Sequence, residues 1–294
     1  MKRSSLSSLR QRTLRRRKIQ NALMLGLTAL TGLYGLAWLA WILTDVTRQG
    51  IRHITPTLFL RDPLPPGMPG GGLRHAFLGQ LMITTLAVGV GVPLGIGAGV
   101  FLAEYGKYRK EGRWIRSILD VMVSSPSIVI GTVVYAWMVK PLGHFMGLAG
   151  ALSLAILMLP IVAITTEEML RMVPDALREA AYALGARQWQ VIRDISLPAA
   201  RKGILTGVIL AMARISGETA PLLFTSFNSP YTVLNPLKPM ATLTVTIFQY
   251  AMGPYPEWHA QAWAAALVLV TGTLLLFLLA RGWMASLKGP QRSP

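Results

Sequence analysis

Six predominantly apolar stretches punctuate this chain: residues 19–43, 75–103, 117–139, 147–166, 203–225 and 260–280. Each is about twenty residues or longer, enough for a helix to cross a ~30 Å hydrocarbon core. Pro126 in the third stretch and Pro160 in the fourth each free a backbone carbonyl and predict a kink. In the second, Gly91, Gly95 and Gly99 recur every fourth residue, on one helix face. Small residues at that spacing let another helix approach closely in lipid. Between the fifth and sixth stretches, residues 241–252 mix apolar positions with Thr242, Thr244, Thr246 and Gln249, which predicts an outer surface helix or a re-entrant piece.

The most polar long interval, residues 167–201, breaks this pattern and predicts two short helices in a surface loop. Pro174 suits a first helical turn, where its missing N–H costs nothing. Asp175 and Glu179 follow near the positive end of the helix dipole. Ala176, Ala180, Ala181 and Ala183 are small and strongly helix-forming, and Gly185 can stop the helix in a left-handed conformation. A second helix is expected over residues 187–196, ending before Pro198.

Composition then fixes the class. Of 294 residues, 52% are hydrophobic and only 14% are charged, with a mean hydropathy of +0.47. The expectation is an all-α, six-span membrane protein. A net charge of +17 would suggest nucleic acid in a soluble protein. Here the cations sit beside the spans, as topology signals and contacts for anionic membrane lipids, and no nucleic-acid partner is expected. Of 29 Lys and Arg, 22 fall on one predicted side, six on the other, and Arg214 remains. The positive-inside rule then places both termini in the cytoplasm. The layout reads as a basic arm at 1–18, a six-span domain at 19–284 with its core from 73, and a tail at 285–294. There is no cysteine, and His53, His75, His144 and His259 are scattered at span ends as interfacial residues. No metal site is expected, and the glycines at 70–72 lack the Lys-Ser/Thr of a phosphate loop.

Arg214 lies eleven residues into the fifth stretch, about 16 Å deep near the bilayer centre. A central charge costs ~2.5–3.5 kcal/mol on insertion scales. Glu218 follows one turn later on the same face. Such a pair must face a neighbouring helix or a wet pathway, either fixing helix packing or serving a substrate. An Arg fork can hold a tetrahedral oxyanion bidentately, and a nearby carboxylate can occupy it when the anion is absent. Asp120, at the inner start of the third stretch, is read either as lining the inner exit or as capping its helix.

The run Glu179-Ala180-Ala181, Gly185-Ala186, Trp189-Gln190 and Leu197-Pro198-Ala199 resembles the EAA loop of ABC import permeases. The run from Ala213 to Thr225, with Arg214, Glu218 and Thr219, resembles the signature of the PstA-type permeases of phosphate ABC importers. Residues 126–131, Leu102-Ala103-Glu104-Tyr105 and Phe248-Gln249-Tyr250 are similar to that family too, so the resemblance spans nearly everything from residue 73. It implies that Asp175, Glu179, Ala180, Ala181, Gly185 and Ala186 form a coupling helix entering a groove on an ATPase. It adds Thr219 to Arg214 and Glu218 in the substrate pathway. The implied partners are a homologous PstC-type permease, two ATP-binding subunits, a periplasmic phosphate-binding protein and inorganic phosphate. This chain has no Walker motif, so ATP and magnesium belong to the partner, and no cofactor is expected here. The location implied is the bacterial inner membrane. Physics alone says "anion": sulfate, molybdate or an organic anion fits Arg214 as well. A membrane-embedded enzyme would need a nucleophile, base or metal cluster that the sequence lacks. A passive scaffold leaves the pair at 214 and 218 unexplained.

Overall fold

The computed structural model describes residues 2–286, Pro69 and Tyr108 excepted; Met1 of the basic arm and residues 287–294 of the predicted tail lie outside the described residues. No strand occurs among the described residues. Five helical stretches are long and apolar enough to cross a membrane: Arg16–His53, Arg74–Tyr105, Gly147–Arg171, Gln188–Ser216 and Pro256–Gly282. Lys110–Ser124 and Ser127–Leu142 meet the same test only when taken together, across a bend of 106°. Pro126 sits in that break with extended backbone, just before the helix that restarts at Ser127.

Helix α1 (Lys2–Gly50) takes in the basic arm from Lys2 onward. Residues 2–18 contain neither glycine nor proline, and Leu, Arg, Lys and Gln favour helix. From Arg16 onward α1 is exposed and apolar, the surface that a lipid-facing helix presents. Then follow α2 (Pro56–Leu60), α3 (Arg74–Val100), α4 (Lys110–Ser124), α5 (Ser127–Val134), the single turn α6 (Lys140–Leu142) and α7 (Gly147–Arg171).

The most extensive packing is α3 against α7. A Cβ built on Gly91 would lie 3.2 Å from the Ala155 carbonyl, on Gly95 2.8 Å from the Val162 Cβ, and on Gly99 2.5 Å from the Ala163 carbonyl. In lipid, helices gain from close van der Waals contact rather than from leaving water, so the absent side chains set the distance. Ile83, Leu154, Met158 and Ile215 fill the shared core.

Beyond α7 come α8 (Asp175–Ala183), α9 (Gln188–Val191), α10 (Leu197–Ser216), α11 (Ala220–Thr225), α12 (Leu243–Met252) and α13 (Pro256–Ser286). Three expectations change here. Pro198 does not end the preceding helix: a π-helical turn over Ile192–Ser196 carries it into α10, with Leu197 N–H bonded to Ile192 O. The widened turn accommodates the missing proline N–H. The fifth passage is not one helix over 203–225, because it stops at Ser216 and restarts at Ala220. Residues 241–252 form no surface helix: α12 packs on α13 and α3 with Leu243, Thr244, Val245, Thr246 and Tyr250 buried.

Candidate functional site

The break between α10 and α11 is written in the sequence and completed by other helices. Pro221 has no N–H to offer the Gly217 carbonyl four residues earlier, which weakens the helix at this point. Two freed carbonyls find side chains instead: Gln80 Nε2 donates to Ser216 O at 3.3 Å, and Thr244 Oγ1 donates to Glu218 O at 2.9 Å. Both donors are buried, on α3 and α12. The gap is thus a built feature, with two of its carbonyls bonded by side chains of other helices, as a low-dielectric setting favours.

Arg214 occupies the last turn of α10, where the helix dipole favours a cation. It is therefore not mid-helix, as the span boundaries predicted, but beside a break that those boundaries did not contain. Its Nε lies 3.8 Å from Glu218 Oε1, an ion pair longer than a hydrogen bond. The Arg214 side chain is 52% exposed and that of Glu218 16%. Much of the guanidinium fork is consequently open to an added partner. Thr219 is the residue just before α11 and makes no side-chain capping bond.

Asp120 is not brought to this pair. It sits mid-way along α4, so it does not cap that helix, and it accepts from Arg116 Nε at 3.2 Å. Arg116 also pairs with Glu167 of α7, and Arg171 Nη2 holds the other Glu167 oxygen at 2.6 Å. The Glu167 side chain is only 3% exposed, a buried carboxylate clamped by two arginines. Leu119, Leu102 and Ala163 pack beside the clamp.

At the same end of the molecule, α8 presents its surface outward. Asp175, Glu179, Ala180 and Gly185 are exposed; Ala181 and Ala186 are half-buried. Gly185 has φ +82°. Its N–H bonds to Tyr182 O and that of Ala186 to Ala181 O, so the helix ends in a Schellman turn. Around it Met172, Leu177, Tyr182, Leu184 and Trp189 are exposed apolar side chains, Leu184 at 90%. Arg178 ties this projection down. Its guanidinium donates to Val173 O (2.7 Å), Leu170 O (2.6 Å), Asp175 Oδ1 (2.9 Å) and Glu104 Oε1 (3.1 Å). Gln188 Nε2 adds a bond to Glu104 O at 3.1 Å. Glu104 belongs to the π-helical turn that ends the α3 passage, so α8 is bolted directly to α3 and α7.

Sequence reading missed Arg178, Glu104, Arg116 and Glu167 as functional positions. Each acid lies at the polar end of an apolar stretch and each arginine is far from its acid in sequence, so the available signal was only an unpaired charge at a span end. The four histidines were expected at interfaces; His75 is instead buried, with no partner for Nδ1. Among the described residues no cluster of His, Asp or Glu could hold a metal.

Residues 91–285 match the family described as "Binding-protein-dependent transport system inner membrane component". The chain belongs to this family. Among its relatives in this permease family is the phosphate transport system permease protein PstA of Yersinia pestis, 45% identical over 265 residues, 90% of this chain and 90% of that one. The PstA of Xylella fastidiosa strain Temecula1 is 43% identical over 286 residues, 97% of this chain and 99% of the relative. The fold is also that of a permease chain in a bacterial alginate ABC transporter crystallised with its alginate-bound periplasmic protein. There the TM-score is 0.66 at 16% identity, covering 90% of this chain and 94% of that one. The protein is thus an inner-membrane permease subunit of the ABC transporter class.

Proposed function

We propose that this chain carries inorganic phosphate across the inner membrane, as one of two permease subunits in an ATP-driven importer. The observation that carries the reading is the loose Arg214–Glu218 pair at a helix break where the Ser216 and Glu218 carbonyls accept from Gln80 and Thr244. A cation with donors to spare, beside backbone held in place from two other helices, suits a passing tetrahedral oxyanion. Glu218 neutralises Arg214 between turnovers and repels a second anion while the first is bound; Thr219 adds a hydroxyl beside them. The extensive identity to permeases named for phosphate supports phosphate over sulfate or molybdate.

The companion subunits in this reading are a homologous permease of the PstC type, two ATP-binding subunits that hold ATP and magnesium, and a periplasmic phosphate-binding protein. Both termini and the α8 end face the cytoplasm, in accord with the excess of Lys and Arg on that side. The exposed Ala and Leu surface of α8 docks on an ATPase. When the ATPase closes, Arg178 passes the movement of α8 to Glu104 at the end of α3 and to the carbonyls at the end of α7. Asp120 serves the clamp at that end, not the anion.

The test is uptake of labelled phosphate by proteoliposomes holding every subunit. Arg214→Ala should abolish uptake while complex assembly is retained. Undiminished uptake, or sulfate competing as well as unlabelled phosphate, sinks the proposal.

A further inference from the structure

Next to the Glu167 clamp lies a cavity of about 500 Å³ between the ends of α3, α4 and α7. Six charged side chains line it: Lys107, Arg113, Arg116, Arg171, Glu167 and Glu168. Four cations face two carboxylates. One of those carboxylates, Glu167, is already engaged at both oxygens, by Arg116 and Arg171. Each guanidinium has five N–H donors. The Glu167 and Asp120 bonds use three groups of the two arginines, so further donors remain at the cavity wall. Arg113 is exposed at its rim.

We infer that this cavity is a binding site for a phosphate group, distinct from the Arg214 break. The buried Glu167 has a second use here: it fixes two arginine forks side by side, pre-organised at no further cost in side-chain entropy when an anion arrives. A doubly coordinated phosphate monoester or diester matches that spacing of donors better than a carboxylate, because its extra oxygens reach Lys107 and Arg113 as well. Two sources of that group exist at this depth: the headgroup of an anionic phospholipid and free phosphate. Exposed Trp114, with Lys110 and Arg113 in the adjoining shallow groove on α4, marks the wall as an interfacial surface and favours the lipid. A basic pocket between spans at the cytoplasmic end is where anionic headgroups bind. The lipid assignment rests on the orientation proposed above; the cavity's charge does not.

The experiment uses the purified transporter complex in mild detergent. Native mass spectrometry follows retention of added cardiolipin or phosphatidylglycerol against phosphatidylethanolamine. Equilibrium dialysis with labelled inorganic phosphate, without lipid, forms the second arm. A Lys107→Ala/Arg113→Ala variant changes only exposed side chains; Lys107→Arg/Arg113→Lys keeps their charge. If the lipid supplies the group, anionic lipid is retained at least about fivefold over the zwitterionic one. The alanine variant then loses that preference, and the charge-keeping variant restores it. If free phosphate is the source, the dialysis arm shows stoichiometric binding lost in the same variant but kept in Arg214→Ala. Retention and dialysis both unchanged by the alanine variant overturn the site. Neither arm measures transport, so a failed phosphate-import reading and a failed cavity give different results.

Discussion

Two charge clusters in this molecule contrast in how completely each is satisfied. At the α8 end, Glu167 is buried and gripped by two arginines, and the two terminal nitrogens of Arg178 bond four acceptors. At the helix break, Arg214 meets one acid at 3.8 Å and stays half exposed. The first pattern is that of a joint. Removing any member strands a charge in a tight site, and the geometry locks helices from distant parts of the sequence together. The second is that of a docking point for something transient, where full satisfaction would leave nothing to bind. How firmly the acid is held, rather than the presence of an ion pair, separates the joint from the passing site, while the spare donors of Arg116 and Arg171 face the cavity beside the joint.

The contrast breaks most sharply by crossing the two clusters in one set of assays. Arg214→Ala should lower phosphate uptake by at least about a hundredfold, the scale of losing a charged group that contacts substrate. Its unfolding free energy in a mixed-micelle titration should stay within about 0.5 kcal/mol of wild type, as for an exposed side chain. A large loss of stability would make Arg214 part of the scaffold. Glu167→Ala should do the reverse to stability, costing about 2–3 kcal/mol in the same titration. That is below the full penalty for a buried pair because Arg116 and Arg171 can still reach water. Glu167→Gln, which keeps the shape and loses the charge, should fall between. An unchanged midpoint for both would deny the clamp its role.

Gly99→Ala asks whether the clamp or the helix seam holds the α8 end. Its new Cβ would sit 2.5 Å from the Ala163 carbonyl and from Thr166 Cβ, so α3 and α7 must part. We expect about 1–2 kcal/mol of destabilisation, and a neutral result would show that the seam yields. The smallest effect belongs to the far end, where Asp62 receives Arg74 (Nη2 2.7 Å) and Thr232 (Oγ1 2.5 Å) and ties two connecting segments together. The Arg74 hydrogen bond, then that of Thr232, holds its carboxyl below the ordinary value of 3.8. A lowered folded pKa means the tie is fully present above 3.8 and is lost as pH falls through the folded value. Hydrogen exchange in residues 54–73 should differ between wild type and Asp62→Asn at ~pH 5 and converge below the ordinary carboxylate range. Equal exchange at both pH values would remove Asp62 from the tie.

Local chemistry explains what could be read along the chain. Apolar length marked every membrane passage, since the bilayer demands it segment by segment. The coupling projection was legible because Pro174, the alanines and Gly185 act on their own backbone: the structure begins α8 at Asp175 and turns left-handed at Gly185. The seam glycines were legible by spacing alone, and they lie against α7. By contrast, Arg214 was placed near the centre of a continuous span because residues 203–225 were read as one helix despite the polar run at 216–219 and Pro221. The break depends on Gln80 and Thr244, which lie more than a hundred residues before it and some twenty-five after.

The chain by itself determined which segments enter the membrane, where the docking helix starts and stops, and which cation has no business in oil. Each follows from interactions within a few residues of one another. Tertiary structure alone decided that this cation stands open at a stitched gap, while Glu167 and Arg178 serve as fasteners. Partners for those groups arrive from helices far away in sequence, and a charge acquires its role only from what is left of its bonding capacity once they have arrived.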